Sequence, residues 1–396
     1  MKTEAVSLSE LFQIGSSKRV LKSQWQSHGV PFYRGREVTR LAMDGFVDNE
    51  LFISEDHYAE LANQYGVPKA GDIVITAIGT IGNAYIVQDQ DRFYFKDASV
   101  LWMKKTKNVS SEFINLWLKS PAFFDQLDRG NGATVDTLTI QKLQGVQIRI
   151  PSITEQHRIV ALLDEAFNCI ATAKANAEKN LQNARALFES HLQSVLRNKK
   201  WPWSTLGELC ERVEYGTSAK SKGEGKVAVL RMGNIQDGRL DWNNLVYTDD
   251  ETEIAKYRLK HNDVLFNRTN SPELVGKTAI YKGEIPAIFA GYLIRIRRKE
   301  HLLDGDFLNY FLNSQTAIDY GKTVVISSVN QANINGTKLK SYPIPTLPLQ
   351  DQKDIVKELN ALSTETQRLE SIYQQKLAAL DELKQSLLHQ VFSGNI

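Results

Sequence analysis

The longest regular pattern of apolar residues in the chain runs from about Glu155 to Arg197. Apolar residues recur there at steps of three, four or seven, the spacing that keeps one face of a helix against a partner helix. Pro151 and Trp201-Pro202 bound the predicted helix, and Thr154 is its predicted N-cap. At about 1.5 Å per residue such a helix would be about 65 Å long, so it needs a partner along its length. Its predicted seam consists of Ile159, Leu163, Ala166, Ile170, Ala173, Ala177, Leu181, Ala184, Phe188 and Val195.

A second pattern of the same kind lies near the end of the chain, from about Gln350 to Phe392. Its positions alternate steps of four and three without a break, which is a heptad register. Because prolines isolate both stretches, the sequence predicts that the two helices pair as an intramolecular coiled coil. Packing of each helix into a globular core is the alternative. The second seam consists of Ile355, Leu359, Leu362, Thr366, Leu369, Tyr373, Lys376, Leu380, Leu383 and Leu387.

The two blocks that precede these helices repeat each other. Lys69-Ala-Gly-Asp-Ile-Val-Ile75 matches Lys260-His-Asn-Asp-Val-Leu-Phe266, a turn with an aspartate followed by an apolar strand. Tyr33-Arg-Gly-Arg-Glu-Val38 likewise matches Leu230-Arg-Met-Gly-Asn-Ile235, an extended segment with an arginine near its start. A repeat of this size predicts two copies of one fold.

The repeat divides the chain into four predicted segments. Residues 1–150 and 201–345 form the two blocks, and residues 151–200 and 346–396 form the two long helices. The blocks mix short strands and helices with turns rich in Gly, Asn and Asp, so we predict an α/β or α+β fold for each. Tandem copies tend to pack about a pseudo-twofold axis. Pairing of the helices then requires that they be antiparallel, with the blocks at opposite ends.

Composition limits the class of protein. The 396 residues exceed one ordinary core and predict two or three domains, and 42% hydrophobic with 24% charged residues is typical of a globular protein. No apolar run approaches the ~18 residues of a membrane span and no signal-peptide core follows Met1, so we expect a cytoplasmic location. A net charge of +2 means that any DNA binding must come from local patches. Cys169 and Cys210 form no metal or redox cluster and are both predicted to be small buried residues.

Motifs for catalysis are missing from the sequence. Gly276-Lys277-Thr278 resembles the end of a phosphate-binding loop, but Ser271 stands where the first glycine belongs and Pro272 interrupts the loop. The seven histidines have no metal-type spacing, and there is neither a nucleophile elbow nor an adenine-methylation motif. We therefore expect no catalytic residue, no metal site and no cofactor.

The junctions between blocks and helices carry a resemblance to a known family. Ile148-Arg-Ile-Pro151 leads into Glu155-Gln156-His-Arg-Ile-Val160, and Tyr342-Pro-Ile-Pro-Thr-Leu-Pro348 leads into Asp351-Gln-Lys-Asp-Ile-Val356. With Trp201-Pro-Trp-Ser-Thr-Leu-Gly-Glu-Leu209 opening the second half, the chain resembles the specificity subunit of a type I restriction-modification system over essentially its whole length. The first junction lacks the family's usual paired prolines, and Asp351 replaces its glutamate.

This resemblance implies a subunit without catalytic activity, in which two target-recognition domains each read one half of a bipartite DNA target. It implies that the two helices are spacers that set the gap between the halves and dock two methylation (M) subunits. In this family the M subunits methylate adenine at N6 with S-adenosylmethionine. Motor-nuclease (R) subunits join them to cut unmodified DNA, driven by ATP.

Residue chemistry alone supplies the candidates for DNA contact, because recognition domains of this family diverge too far for motifs to be carried over. Arginine suits guanine, asparagine suits adenine, and lysine suits phosphate. The candidates at strand ends and turns are Arg34, Arg36, Arg231, Asn234, Arg268, Asn270 and Lys277. Two other functions stay open. A methyltransferase with fused recognition domains would need a cofactor loop that the chain lacks, and a scaffold that holds two adaptor domains apart leaves the paired arginine segments unexplained.

Overall fold

The computed structural model of the chain describes residues 5–127, 137–196, 201–328 and 331–393. The chain forms two compact units, Met1–Glu178 with Gln375–Ile396 (unit 1) and Lys179–Gln374 (unit 2). Each unit contains one predicted block together with a portion of both long helices. The predicted borders at residues 150, 200 and 345 therefore mark where blocks give way to helices rather than where compact units end.

Unit 1 is a mixture of short strands and helices that ends in a long helix. Its elements are β1 (Ala5–Ser7), α1 (Leu8–Leu11), β2 (Phe12–Gly15), β3 (Val30–Tyr33), α2 (Gly35–Asp44), β4 (Phe52–Ile53), α3 (Glu55–Tyr65), β5 (Ile73–Thr76), β6 (Ala84–Ile86), β7 (Tyr94–Phe95), β8 (Val100–Lys105), α4 (Ser111–Leu118), α5 (Pro121–Leu127), α6 (Ile140–Gly145), β9 (Gln147–Arg149) and the start of α7 (Ile153–Leu196). Strands β2-β8-β5-β6 form an antiparallel sheet, β4-β3-β7 form a second sheet, and β1 pairs with β9.

Unit 2 repeats this plan. Its elements after α7 are β10 (Trp203–Thr205), α8 (Leu206–Leu209), β11 (Cys210–Tyr215), β12 (Val227–Leu230), β13 (Ile235–Gln236), β14 (Arg239–Leu240), β15 (Val246–Thr248), α9 (Glu251–Tyr257), β16 (Asp263–Asn267), β17 (Thr269–Asn270), β18 (Thr278–Tyr281), β19 (Ala287–Phe289), β20 (Leu293–Arg298), α10 (Gly305–Leu312), α11 (Gln315–Val324), β21 (Ile326–Ser328), β22 (Gln331–Asn333), α12 (Gly336–Lys340), β23 (Pro343–Pro345) and the first part of α13 (Leu349–Ser393). Short 3₁₀ turns cover Lys22–Gln24 in unit 1 and Met232–Asn234 in unit 2.

Three sheets of unit 1 have a counterpart of the same strand order in unit 2, which also contains the sheets β13-β14 and β17-β22-β21. The orders β11-β20-β16-β18, β15-β12-β19 and β10-β23 in unit 2 match those of unit 1, and β3 is parallel to β7 as β12 is to β19. Even the opening turns agree: Glu10 accepts the N–H of Ser7 at 2.8 Å, and Glu208 accepts that of Thr205 at 3.3 Å. The predicted fold class, two repeated mixed α/β domains with two long helices that pack together, is confirmed.

The two long helices run antiparallel within each unit. In unit 1, Lys174 bonds Asp381 at 2.6 Å and Lys384 lies 5.1 Å from the ring of Phe167. In unit 2, Arg185 bonds Glu370 at 2.7 Å and His191 bonds Glu358 at 2.8 Å. In both units the partner number in α13 falls as the number in α7 rises, which is the antiparallel order.

Two details of the helix ends differ from the expectation. Ser152 caps α7 rather than Thr154, because its Oγ accepts the N–H of Glu155 at 3.3 Å and α7 already begins at Ile153. Helix α13 begins at Leu349 and ends at Ser393, one residue beyond the predicted range at each end. The predicted end of the first helix at Arg197 lies outside the described residues.

Burial along the helices varies from one predicted seam position to the next. The buried positions are Leu163, Ile170, Ala177, Ala184 and Leu359; the half-buried ones are Ile159, Ala166, Ala173, Leu181, Phe188, Val195, Ile355, Leu362, Thr366, Leu369, Tyr373, Leu380 and Leu387. Lys376 is exposed and Leu383 is 46% exposed. Leu377, next to Lys376, is half-buried, and Leu388, next to Leu387, is buried. A helix of 3.6 residues per turn drifts against a strict seven-residue repeat, which accounts for this shift by one position.

Residues outside the predicted seam join the ends of the helices to the cores. Leu192 and Leu196 of α7 are 2% and 0% exposed and belong to the core of unit 2, together with Leu206 and Phe307. Phe392 of α13 packs on the core of unit 1, with its ring centroid 5.3 Å from that of Phe113.

The prediction for the cysteines is half wrong, since Cys210 is buried but Cys169 is exposed on α7.

Candidate nucleic-acid interface

Each unit ends one strand of its four-stranded sheet in the same hydrogen-bonded turn. In unit 1, Thr76 donates its N–H to Asn83 at 3.0 Å and accepts that of Gly82 at 3.1 Å. In unit 2, Asn267 donates to Lys277 and accepts from Gly276, both at 2.8 Å. Gly82 and Gly276 have φ of 91° and 93°, a left-handed conformation that favours glycine.

A further contact fixes this turn against a neighbouring loop. The N–H of Ala77 donates to the carbonyl of Ser99 at 2.9 Å in unit 1, and that of Arg268 donates to Tyr292 at 3.0 Å in unit 2. We call residues 76–83 with Ser99 the turn frame of unit 1, and residues 267–277 with Tyr292 the turn frame of unit 2. These three backbone bonds correspond in the two frames, although the turn of unit 2 is three residues longer, whereas the side chains on the frames differ.

Arg34 and Arg36 of unit 1 are both paired with carboxylates. The Arg34 guanidinium bonds Glu37 at 2.7 Å and 3.1 Å, and Arg36 bonds Glu37 at 3.0 Å and Glu50 at 2.8 Å. Burial of Glu37 acts to raise its pKa, but hydrogen bonds from the side chain and backbone of Arg34 and from Arg36 outweigh burial and lower the pKa to about 2. Glu37 and Glu50 thus neutralise much of the charge that these arginines could offer to DNA.

Arg231 and Asn234 occupy the places that Arg34 and Glu37 occupy in unit 1. The backbone N–H of Arg231 donates to Asn234 Oδ1 at 2.9 Å, just as that of Arg34 donates to Glu37 at 2.9 Å. Arg231 is exposed, and its Nη2 donates to the carbonyl of Asn244 at 2.8 Å. This equivalence supports the sequence alignment of the two blocks.

Asn234 is corrected as a candidate for DNA contact. Its side chain is 3% exposed, and Nδ2 donates to the carbonyls of Asp241 at 3.0 Å and Asn243 at 3.1 Å. Both hydrogens of Nδ2 are used in these bonds and Oδ1 accepts the N–H of Arg231, so the buried amide has no N–H left to offer a base.

Arg268 and Lys277 lie in the turn frame of unit 2 without a carboxylate partner among the described residues. The Arg268 guanidinium lies 4.9 Å from the ring centroid of Tyr215, and its Nη1 donates to the carbonyl of Gly291 at 3.1 Å. Lys277 Nζ reaches Gln236 Oε1 at 3.3 Å. Both cations therefore keep their charge available for an anionic ligand.

Asn270 follows Arg268 in the same turn. Its Oδ1 accepts the N–H of Ser271 at 2.9 Å, a local bond, and Nδ2 has no partner among the residues that the structure describes. In the part of the chain that the structure describes, no group of three His, Cys, Asp or Glu is placed to hold a metal ion. Nor does any described helix have the length and apolar character needed to cross a bilayer.

The family model for the type I restriction modification DNA specificity domain matches the chain twice, over residues 2–183 and 198–378. The chain belongs to this family. It carries two DNA-recognition domains, one centred in each unit, and other members of the family are specificity subunits without catalytic activity.

Relatives and a solved structure agree with this assignment. The specificity subunit of the MjaX type I restriction enzyme of Methanocaldococcus jannaschii is 30% identical over 200 residues, 50% of this chain and 46% of that one. The StySPI specificity subunit of Salmonella potsdam is 26% identical over 312 residues, 74% of this chain and 67% of that one. A solved structure from work on complex assembly and conformational transition of the type I R-M system has a TM-score of 0.78 at 18% identity, over 99% of this chain and 98% of that one, and shows the shared fold.

Exposed residues at the recognition domains include three that the sequence analysis missed. Tyr215 and Tyr292 of unit 2 are 43% and 48% exposed beside Arg268, and Ile78 of unit 1 is 47% exposed in its turn frame. Exposed aromatic and aliphatic residues next to a glycine turn are a usable signal, but only after the two blocks are aligned on Gly82 and Gly276.

In each unit, one buried glutamine of a long helix is hydrogen-bonded to the recognition domain. Gln156 of α7 accepts the N–H of Ser110 at 2.8 Å and donates to the carbonyl of Pro151 at 2.8 Å. Gln352 of α13 accepts the N–H of Asp304 at 2.8 Å and donates to two carbonyls, those of Leu302 at 2.8 Å and Leu347 at 2.9 Å. The Glu-Gln and Asp-Gln pairs noted in the sequence thus mark the joint between recognition domain and helix.

Proposed function

We propose that each recognition domain reads one half of a bipartite target in double-stranded DNA. The observation that carries this proposal is that one backbone frame occurs twice with different side chains on it. Ala77, Asn83 and Ser99 in unit 1 stand where Arg268, Lys277 and Tyr292 stand in unit 2. A shared backbone that presents different groups suits two modules that read different sequences through base edges. A scaffold that does not bind DNA has no need of this difference.

Among the sequence candidates, Arg231, Arg268, Asn270 and Lys277 are the proposed DNA-contacting residues of unit 2. Arg268 and Lys277 keep their charge, and Arg231 is exposed at the start of a turn. Arg34 and Arg36 remain the proposed contacts of unit 1. Their ion pairs with Glu37 and Glu50 reduce the net positive charge that they present to DNA. Phosphate contacts would position each domain and base contacts would give its specificity.

We also propose that α7 and α13 set the number of base pairs between the half-sites and dock two M subunits. Each of these helices contributes residues to both units without a break. Leu187 and Leu383 are 61% and 46% exposed. They are 196 positions apart (383 − 187), as are Gln156 and Gln352 (352 − 156), so they are equivalent in the repeat. Equivalent exposed leucines suit two copies of one partner.

Catalysis in this proposal belongs to the partners. The M subunits methylate adenine at N6 with S-adenosylmethionine and the R subunits supply ATP-dependent cleavage, while this chain supplies the choice of target. The complex would act in the cytoplasm, where it meets DNA. We expect the isolated chain to bind no cofactor and to turn over none.

Duplication of one block tests the proposal. Replacing Trp203–Pro345 by a second copy of Ala5–Arg149 joins matching strands, because β1 pairs with β9 as β10 pairs with β23. We expect that cells with this variant and the M subunits methylate a symmetric target, in which both halves equal the half read by unit 1 and the gap is unchanged. Sequencing of methylated DNA gives the target directly.

The reciprocal duplication, with Trp203–Pro345 in both places, is the matched control and should yield the other half-site twice. A target that keeps its original asymmetry in both variants would contradict modular reading. If the wild-type chain forms a complex with the M subunits but directs methylation to no defined sequence, only the scaffold function is left.

A further inference from the structure

Buried polar atoms without a partner concentrate in the turn frame of unit 2. Asn267 is 0% exposed, and within the described part of the chain neither atom of its side-chain amide has a hydrogen-bond partner. The buried Nε of Arg268 has none there either. At the equivalent place in unit 1, the Thr76 hydroxyl accepts the N–H of Asn83 at 3.0 Å and donates to the carbonyl of Thr80 at 2.5 Å. Unpaired buried polar atoms destabilise a fold, and they are tolerated mainly where a ligand acts on the site.

Arg268 is held in a fixed position beside these atoms. The ring of Tyr215 supports one face of the guanidinium at 4.9 Å, and the bond from Nη1 to Gly291 at 3.1 Å fixes its rotation. Nη2 and the second hydrogen of Nη1 have no partner among the described residues. A planar guanidinium that is already oriented loses little side-chain freedom on binding. It therefore suits a pair of hydrogen bonds whose directions are fixed.

Four arginines that are paired with carboxylates show what Arg268 lacks. Arg34 and Arg36 bond Glu37, and Arg295 and Arg297 bond Glu214 and Asp263. Arg268 has no carboxylate partner among the described residues, although it is half-buried and stacked as a structural arginine would be. A half-buried cation without a counter-charge is most stable when its ligand carries acceptor atoms.

We propose that Arg268 reads a guanine in the half-site of the unit 2 recognition domain, through two parallel N–H bonds to O6 and N7 in the major groove. Arginine with guanine is the commonest specific base contact, and its geometry requires the free edge that Arg268 presents. Lys277, nine residues further along the same frame, holds a neighbouring phosphate. This inference rests on the proposed function, since it assigns a base contact to one of the two domains.

Variants of Arg268 in the complex with M subunits test this assignment. Arg268→Ala removes the fork, Arg268→Lys keeps the charge and can still stack on Tyr215, and Arg212→Ala is the control, since Arg212 lies in the same unit with 68% of its side chain exposed. Methylation rates are measured on duplexes in which each base pair of the target is changed in turn. We expect both Arg268 variants to lose discrimination at one G·C pair of one half-site, by about 5- to 150-fold.

The remaining positions, the other half-site and the gap should stay as in the wild type, and Arg268→Lys should keep the wild-type salt dependence. Unchanged discrimination at all positions in both variants would overturn the assignment. So would a uniform loss of affinity for all duplexes with a shallower salt dependence in Arg268→Ala, because that is the behaviour of a phosphate contact. Failure of the proposed function is distinguishable, since the wild-type complex would then show no bipartite preference. If Arg268→Ala does not fold, Arg268→Lys decides.

Discussion

Equivalent aspartates in the two units accept hydrogen bonds from different kinds of side chain. Asp72 of unit 1 and Asp263 of unit 2 end equivalent turns, and each accepts the backbone N–H three residues before it, at 2.9 Å and 2.8 Å. Trp102 then donates its indole N–H to Asp72 at 2.9 Å, whereas Arg295 donates to Asp263 at 3.3 Å. The repeat keeps the acceptor and lets the donor vary between a neutral and a charged group.

The difference extends beyond the pair itself. Arg295 is 2% exposed and also bonds Glu214 at 2.7 Å, and Arg297 bonds the same two carboxylates at 2.9 Å and 3.5 Å. Burial of Glu214 acts to raise its pKa, but Arg295 and Arg297 outweigh it and the pKa is lowered. The aspartate of unit 2 therefore belongs to a network of charged side chains, whereas the aspartate of unit 1 is bonded by the neutral indole of Trp102.

The largest effect should follow from breaking this network. Arg295→Leu removes the buried cation of the network and leaves Glu214 and Asp263 with the partly exposed Arg297 and, for Glu214, the exposed Arg212. Removal of one partner of a buried ion pair costs about 3–5 kcal/mol. Trp102→Phe removes a neutral donor, and Asp72 still accepts the backbone N–H groups of Lys69 and Lys105, so about 1–2 kcal/mol is expected. Denaturant unfolding of each variant measures the two free energies.

Arg212→Leu is the matched control, because Arg212 bonds the same Glu214 from an exposed position and should shift stability by no more than about 0.5 kcal/mol. An equal loss from Arg295→Leu and Trp102→Phe would show that charge does not distinguish the two units at this position.

Much of this architecture could be predicted from the sequence because it depends on local spacing. The apolar periodicity gave both long helices to within a few residues, and the repeated Lys-x-x-Asp turn gave the equivalent strands β5 and β16. The buried face shifts by one position at Lys376 and Leu387, where the next residues Leu377 and Leu388 are the more buried, because heptad spacing read from sequence does not include the drift of a real helix.

The candidate site was less predictable because pairing of charges depends on residues distant in the chain. Arg36 is neutralised by Glu50, 14 residues away, and Arg268 is supported by Tyr215, 53 residues before it (268 − 215). The burial of Asn234 follows from the hairpin β13-β14, which has no counterpart among the described residues of unit 1. None of these relations has a period or a motif, so only the folded chain separates free arginines from paired ones.

A smaller effect is expected where the helices join the recognition domains. Gln352→Leu removes the side-chain partner of three partly buried backbone groups, and Gln156→Leu removes that of two, of which one is buried. We therefore expect losses of about 2–4 kcal/mol and about 1–3 kcal/mol. Hydrogen exchange of amides in α10 and α4, which follow Asp304 and Ser110, reports each joint separately. Gln350→Leu is the control, since Gln350 is exposed and bonds only Asp354, at 3.1 Å. Stabilities in the reverse order would mean that the second carbonyl bonded by Gln352 does not contribute.

The smallest effect concerns acid stability, because the cap after β3 is charged and the equivalent cap after β12 is neutral. Glu37 accepts the N–H of Arg34 with a pKa lowered from 4.5 to about 2, whereas Asn234 accepts that of Arg231 with an amide that does not titrate. A carboxylate whose pKa is lower in the folded than in the unfolded chain stabilises the fold above the unfolded pKa. That contribution is lost as pH falls from about 4.5 to about 2.

We expect Glu37→Gln to destabilise unit 1 by about 1–2 kcal/mol at pH 7, less than the pKa shift alone implies because Arg34 and Arg36 are 30% and 51% exposed and solvent screens them. The difference from wild type should shrink toward zero by pH 2, as measured by hydrogen exchange of β3 and β5 amides across this range. Amides of β12 and β16 in unit 2 should show no response to the substitution at any pH.

Glu50→Gln, which removes the exposed partner of Arg36, should leave most of the pH dependence in place. A wild-type difference that stays constant from pH 7 to pH 2 would mean that Glu37 stabilises the turn by its shape and hydrogen bonds rather than by its charge, and the two caps would then be equivalent.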